Sequence, residues 1–86
     1  RLGKAKLEIL RGLGLKPSSR VLDVGCGTGQ LAVVLEKYLD ESGFFFGTDI
    51  GPEAIEYCNR TYLRPNFEFA VNDMTRLPLD GKRQFD

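Results

Sequence analysis

The sequence predicts an α/β domain built on a parallel β-sheet. Segments of strand composition alternate with segments of helical periodicity, in the order helix, strand, helix, strand, helix, strand. Helices of about a dozen residues between strands are typical of parallel βαβ units with right-handed crossovers. The stretch VLDVGCGTGQ adds a third observation, because three glycines follow the first strand directly, where an open parallel sheet binds its ligands.

The first helix is predicted from the spacing of its apolar residues. Residues three or four positions apart favour an amphipathic helix, and here they are Leu2, Ala5, Ile9 and Leu13, with Leu10 beside them. Gly12 and Gly14 end this helix, and a turn at Pro17 follows it. Val21–Val24 is short, apolar and partly β-branched and stops at a glycine, which predicts a buried first strand.

The middle of the chain repeats this alternation. The stripe of a helix that packs on one face is formed by Leu31, Val34, Leu35, Tyr38 and Leu39. Ser42 and Gly43 break this helix, and Phe44–Asp49 is predicted as the second strand. Pro52 suits the first position of a third helix, because its φ is fixed and its missing N–H is not needed there. The modest apolar face of that helix is formed by Ala54, Ile55 and Cys58.

The third strand is predicted where Phe67, Phe69 and Val71 alternate with Glu68, Ala70 and Asn72. Such alternation indicates one solvent-facing side, which is typical of the edge of a sheet rather than its centre. Consecutive units that wind outward place the strands in the spatial order 3-2-1, which agrees with this edge position. Residues 76–84 are predicted as a loop, with Phe85 at the start of a new element.

Composition narrows the class of protein. The chain of 86 residues has 12 basic and 12 acidic residues, so neither nucleic acid nor a membrane surface is indicated as a partner. It has two cysteines and no histidine, which excludes a Cys/His zinc site and a Ser–His or Cys–His couple within it. Two thiols favour a reducing, cytoplasmic location. Because the chain begins at Arg1 and ends at Asp86 directly after an aromatic residue, we interpret it as part of a longer protein.

The glycine cluster indicates a nucleoside-containing ligand. A glycine-rich turn between a strand and a helix lets the backbone approach a ligand closely and aims helix N–H groups at it. Asp49 lies twenty positions after Gly29, the separation at which an acidic side chain meets a ribose. Because an ionised carboxylate only accepts hydrogen bonds, it can take hydrogens from both ribose hydroxyls.

Two common nucleotide motifs are excluded or weakened by single residues. A nucleotide-triphosphate loop requires a lysine directly after its last glycine, and none follows Gly29. A dinucleotide fingerprint requires a small residue where Gln30 stands. Asp23, two residues before the first glycine, would repel a pyrophosphate and attract an ammonium group. A ligand with an adenosine at one end and a cationic amino acid at the other fits this pattern best.

Three stretches resemble one family. VLDVGCGTGQLAVVL resembles motif I of the class I S-adenosylmethionine-dependent methyltransferases, GTDIGPEAIEYC resembles the segment after their second strand, and VNDMTRLPL resembles their third-strand motif. The resemblance implies a Rossmann-like, doubly wound sheet of seven mostly parallel strands. This chain would supply the first three strands and their helices, as the cofactor-binding half of an enzyme that methylates a small molecule.

The same resemblance implies a set of residues that bind S-adenosylmethionine: Asp23, Gly25, Cys26, Gly27, Gly29, Asp49, Ile50, Asp73 and Met74. The glycines would surround the methionyl end, with Asp23 near its amino group. Asp49 would hold the ribose, Ile50 would pack on the adenine, and Asp73 would accept from the adenine amino group beside the Met74 N–H. Residues that bind or deprotonate the acceptor normally follow the fourth strand, so no catalytic residue is predicted.

Other interpretations stay open at this point. Asp49 also suits helix capping ahead of Pro52, and Asp73 suits an ordinary turn. Cys26 fits a small residue in a tight loop, and the three tyrosines fit packing. For the whole protein, the alternatives are a non-catalytic methyltransferase-like binding or scaffold module and an NAD-dependent dehydrogenase.

Overall fold

The computed structural model describes residues 2–72 of the chain. The elements are α1 (Leu2–Gly12), β1 (Arg20–Val24), α2 (Gln30–Tyr38), β2 (Phe44–Asp49), α3 (Pro52–Thr61) and β3 (Phe67–Val71). They follow the predicted order, and β2 has the predicted bounds. Strand β1 begins one residue earlier than predicted and is half-buried rather than buried. The predicted loop over residues 76–84 and the new element at Phe85 lie outside the described residues.

The three strands form one parallel sheet in the order β1-β2-β3, as the sequence predicts. In the middle of the sheet, Val21 of β1 lies beside Phe45 of β2, which in turn lies beside Phe67 of β3. The rings of Phe45 and Phe67 are stacked, with centroids 5.2 Å apart. Parallel strands joined by helices bring all three carboxyl ends to one edge of the sheet.

The core lies where α2 and α3 cover one face of this sheet. Buried side chains of the two helices meet phenylalanines of β2 and β3, and the central members are Leu35, Ile55, Cys58, Phe45 and Phe69. In β3 the side chains alternate as predicted at first, with Phe67 and Phe69 buried and Glu68 exposed. Val71, at the carboxyl end of the strand, is exposed instead of buried.

Helix α1 forms as predicted, but it turns a different face inward. Ile9 is 63% exposed and Leu13 is 80% exposed, whereas Leu7 and Leu10 pack against the core. The physical reason is that α1 packs beside α2 rather than on the sheet. The hydroxyl of Tyr38 at the end of α2 donates to the Leu15 carbonyl at 3.0 Å, which anchors the segment that follows α1.

At the amino ends of the strands, two side chains from the segment before β3 hold the neighbouring segments together. Arg64 donates through Nη1 to the carbonyls of Glu36 and Leu39 at the end of α2. Asn66 donates through Nδ2 to the carbonyls of Asp40 and Gly43, both at 3.0 Å. These contacts fix α2 relative to β3. None of the helices between residues 2 and 72 has the length and apolar character needed to cross a membrane.

Candidate cofactor site

The candidate site is the glycine loop, residues 25–29, which joins the carboxyl end of β1 to α2. The N–H groups of Gly25 and Cys26 donate to the Thr48 carbonyl on β2, at 2.7 and 2.9 Å. The Gly29 N–H donates to the Cys26 carbonyl at 3.0 Å, which closes the turn. These bonds hold the loop against the carboxyl ends of two adjacent strands.

The glycines of the loop are required by its backbone conformation. Gly25, Gly27 and Gly29 have φ values of +78°, +58° and +93°, a region that other residues rarely adopt. Within the described part of the chain, no atom lies within 4 Å of the position that a Cβ on Gly27 would occupy, so this part of the loop borders open space. The three glycines in five residues therefore allow a tight turn that has open space beside it.

Helix α2 begins directly at the end of this loop. Gly29 is its N-cap residue and makes no side-chain capping bond. The first N–H groups of a helix have no partner within the helix, and they carry a partial positive charge. The loop and the first turn of α2 therefore present backbone donors at the edge of the sheet where ligands bind.

Asp49 connects this loop to the loop that follows β2. Its Oδ2 accepts from the Gly27 N–H at 2.8 Å, and its Oδ1 accepts from the Gly51 N–H at 2.9 Å. These bonds, the one from Gly51 foremost, hold the pKa of the carboxyl below its usual value, so that Asp49 is ionised at neutral pH. Each carboxylate oxygen has a second lone pair, so the group can still accept hydroxyl hydrogens from a ligand.

The capping interpretation of Asp49 is wrong. The N-cap residue of α3 is Gly51, which has no side-chain capping bond, and Pro52 is the first helical residue as predicted. Asp49 lies two residues before that cap and makes a local turn bond to the Gly51 N–H. Its longer-range bond to Gly27 is the one that ties two strand ends together.

The two cysteines lie beneath the glycine loop and face the core. Cys26 and Cys58 are both buried, and their thiols donate to the Gly27 carbonyl at 3.6 and 3.4 Å. Burial, with added repulsion from neighbouring groups including Cys58, raises the pKa of Cys26 to about 12. A thiol with this pKa stays protonated at neutral pH. A Cβ on Gly47 in β2 would lie 2.8 Å from Cδ1 of Phe69 and 3.0 Å from the Cys26 sulfur, so these two side chains leave no room for a larger residue there.

Tyr62 supports the loop from the same side, and the sequence predicts only a packing role for it. Its hydroxyl lies 3.1 Å from the Thr28 carbonyl oxygen and 3.2 Å from that of Gly29. Its ring lies 5.6 Å from that of Phe69, and the side chain is buried. The available signal was its position four residues after Cys58, which puts both on the same side of α3.

Asp23 and Ile50, two further predicted site residues, lie at the carboxyl ends of β1 and β2. Asp23 is half-buried in β1 opposite Gly47, one residue before the strand ends. Ile50 follows β2 directly and is 61% exposed. The Asn72 N–H donates to the Asp49 carbonyl at 3.0 Å, so Asn72 lies beside the site. Asp73 and Met74 lie outside the described residues.

Comparison with known proteins identifies the class. Residues 15–86 match the family described as a methyltransferase domain. This match, the parallel sheet and the glycine loop show that the chain belongs to the class I S-adenosylmethionine-dependent methyltransferases, as the sequence motifs predict. The fold class and the family are thereby confirmed.

Individual relatives agree with this family. The chain is 28% identical to a probable cobalt-precorrin-6B C(15)-methyltransferase of Thermoplasma acidophilum over 81 residues, which cover 90% of this chain and 39% of the relative. It is 38% identical to malonyl-[acyl-carrier protein] O-methyltransferase of Acetivibrio thermocellus over 73 residues, which cover 81% of this chain and 25% of the relative. A crystal structure of a SAM-dependent methyltransferase from Aquifex aeolicus superposes with a TM-score of 0.72 at 29% identity, over 84% of this chain and 40% of that one. The chain thus spans well under half the length of these relatives.

Proposed function

We propose that this chain is the cofactor-binding half of a methyltransferase that transfers the methyl group of S-adenosylmethionine to a small molecule. The observation that carries the proposal is the bridge from the Asp49 carboxylate to the Gly27 N–H. This bridge places an ionised acceptor and a glycine turn with open space beside it at one edge of the sheet. The two features suit the two ends of the cofactor.

The assignment of residues to the parts of the cofactor follows from this arrangement. The glycine loop would hold the methionyl end, with Asp23 near its ammonium group, and Asp49 would accept from the ribose hydroxyls. Ile50 would cover the adenine, which Asp73 and the Met74 N–H would contact at its edge. Cys26 would contribute only through its backbone, because its thiol faces the core.

The cofactor supplies a methyl group that is already activated by a sulfonium centre. The work of the protein is therefore to bind and orient the two reactants, so that the acceptor lies in line with the departing sulfur. In this proposal residues 1–86 perform the first part of that task. The residues that hold the acceptor belong to the remaining part of a longer protein.

We also propose a class of methyl acceptor and a cellular location for the protein. The name of the Thermoplasma acidophilum relative gives a small molecule as its substrate, which supports a small-molecule acceptor here. The balanced charge of the chain gives no support for a nucleic acid acceptor. The free thiols of Cys26 and Cys58 support a cytoplasmic location.

Calorimetric titration of the complete protein with S-adenosylmethionine, S-adenosylhomocysteine and NAD tests the proposal. We expect micromolar binding of the first two ligands and no heat with NAD. Heat with NAD alone would favour the dehydrogenase and overturn the proposal. Binding of S-adenosylmethionine without methyl transfer to any member of a panel of small molecules would favour the non-catalytic module.

A further inference from the structure

Three successive carbonyls of the glycine loop are bound by side chains from the C-terminal end of α3. The Gly27 carbonyl accepts from Cys58 of α3, and the carbonyls of Thr28 and Gly29 share the hydroxyl of Tyr62, which caps the same helix. A tyrosine has one hydroxyl hydrogen, so this is a shared bond between two acceptors. Burial raises the pKa of Tyr62, which keeps that hydrogen in place at all physiological pH values.

These bonds fix the direction of the peptide groups in the loop. A trans peptide is planar, so its carbonyl and its N–H point in opposite directions. Because the Gly27 carbonyl is bound by Cys58, the Thr28 N–H points away from α3. The Gly29 carbonyl accepts from Tyr62 and also from the Val33 N–H of α2 at 2.9 Å, so these two bonds together set the outward direction of the Gln30 N–H. The Gly29 N–H is already used within the turn, where it donates to Cys26. The donors that are turned outward are therefore those of Thr28 and Gln30.

The position of Tyr62 is itself tightly constrained. Its side chain is 7% exposed, and its ring packs against Phe69. A Cβ on Gly29 would lie only 2.6 Å from Cε2 of this ring, so the ring occupies the space beneath the turn. Because the ring is held in this space, the position of its hydroxyl is fixed. The hydroxyl in turn helps to orient the carbonyls of Thr28 and Gly29.

We propose that Tyr62 is a positioning residue for cofactor binding, which orients the glycine loop towards the methionyl end of the cofactor through the Thr28 and Gly29 carbonyls. This inference rests on the proposed function. Tyr62 does not itself touch the ligand in this arrangement. The Gly27 N–H that donates to Asp49 belongs to a different peptide group from the two that Tyr62 holds, so we expect the effect on the part of the ligand that meets the loop and not on the part that meets Asp49.

The test compares two ligands on Tyr62→Phe in the complete protein. S-adenosylhomocysteine has the amino acid end, whereas 5′-methylthioadenosine has the adenosine and the thioether but no amino acid end. We expect Tyr62→Phe to weaken S-adenosylhomocysteine binding by about 2- to 10-fold, the range for one neutral hydrogen bond, and to leave 5′-methylthioadenosine binding unchanged. Because the aromatic ring is retained, the packing against Phe69 and Gly29 is preserved.

Tyr38→Phe is the matched control. It also removes one tyrosine hydroxyl that donates to a backbone carbonyl, here that of Leu15 at 3.0 Å, but at the other end of the sheet. We expect it to lower the melting temperature without changing the affinity for either ligand.

Three outcomes would overturn the role of Tyr62. These are unchanged binding of both ligands, equal weakening of both ligands, and the same pattern of weakening in Tyr38→Phe. Failure of the unaltered protein to bind S-adenosylhomocysteine at all would instead overturn the proposed function, and this inference with it. The unaltered protein therefore distinguishes the two failures.

Discussion

At the scale of single residues, the sequence suggests two alternative roles for Asp49. Its spacing from the glycines predicts a ribose contact, and its place before Pro52 suggests a cap. In the structure its two oxygens accept from the N–H groups of Gly27 and Gly51, so it joins two loops through bonds within the chain. The carboxylate is thereby oriented in advance, which lowers the cost of ordering it on binding.

We expect Asp49→Ala to weaken both cofactor binding and the fold. Loss of a charged acceptor for the ribose should reduce the affinity for S-adenosylhomocysteine by about 1.5–3 kcal/mol. Loss of the bonds to Gly27 and Gly51 should lower the free energy of unfolding of the ligand-free protein by about 1–2 kcal/mol. Calorimetry and denaturant unfolding of the same variant measure the two effects.

Asp40→Ala is the control for this prediction. Asp40 also accepts from the backbone N–H two residues later, that of Ser42 at 2.8 Å, but it lies away from the candidate site. Its replacement should affect stability only.

The stability that Asp49 contributes should depend on pH. Because the folded-state pKa of Asp49 is lowered, this contribution is present at neutral pH and is lost as the pH falls below about 4. A stability difference between Asp49→Asn and the unaltered protein that stays constant from pH 7 to pH 3 would contradict this account.

At the scale of elements, the sequence predicts best where an element packs on the sheet. The buried faces of α2 and α3 and the bounds of β2 follow from their apolar spacing, because a sheet requires a broad apolar face in a fixed direction. The face of α1 could not be predicted in this way. Leu7 and Leu10 compete with Ile9 and Leu13 on the same helix, and only the position of α2 decides between them.

The candidate site shows the same division. The glycine turn and its proximity to Asp49 are predictable because they follow from spacing along the chain. Tyr62 is not predictable from a motif, because its contact with the Thr28 and Gly29 carbonyls depends on how α3 crosses the sheet. A contact that depends on how a helix packs in three dimensions produces only a weak pattern in the sequence.

The glycine loop packs closely against Tyr62 at the end of α3, and Gly29→Ala should disrupt this contact. The substitution adds a methyl group 2.6 Å from the Tyr62 ring at a residue with φ of +93°. Gly14→Ala is the control, since Gly14 has φ of +111° but no described atom within 4 Å of its Cβ position. We expect the control to cost about 1–3 kcal/mol of stability through backbone strain alone, and Gly29→Ala to cost more and to abolish binding of S-adenosylhomocysteine. Equal losses of stability in thermal or denaturant unfolding would show that the ring yields freely.

At the scale of the whole molecule, the described sheet leaves apolar side chains at the edge where its ligand would bind. Val24, Ile50 and Val71 lie at or just after the carboxyl ends of β1, β2 and β3, and they are 40%, 61% and 52% exposed. The buried core lies under α2 and α3 on one face of three strands. Further chain and the cofactor are natural candidates to cover this edge, because the chain spans 39% of one relative and 25% of another.

We therefore expect residues 1–86, when produced alone, to be prone to aggregation and inactive in methyl transfer. A domain of this size buries about 60–65% of its unfolded surface and has little stability in reserve. The family resemblance also implies a fourth strand beside β1, and loss of a neighbouring strand exposes backbone groups that recruit other chains. Size-exclusion chromatography and thermal unfolding of the segment, beside the complete protein, measure this difference. A monodisperse monomer of residues 1–86 with a sharp cooperative melt and turnover would contradict the prediction, because one sheet face and three strands would then suffice for both the fold and the reaction.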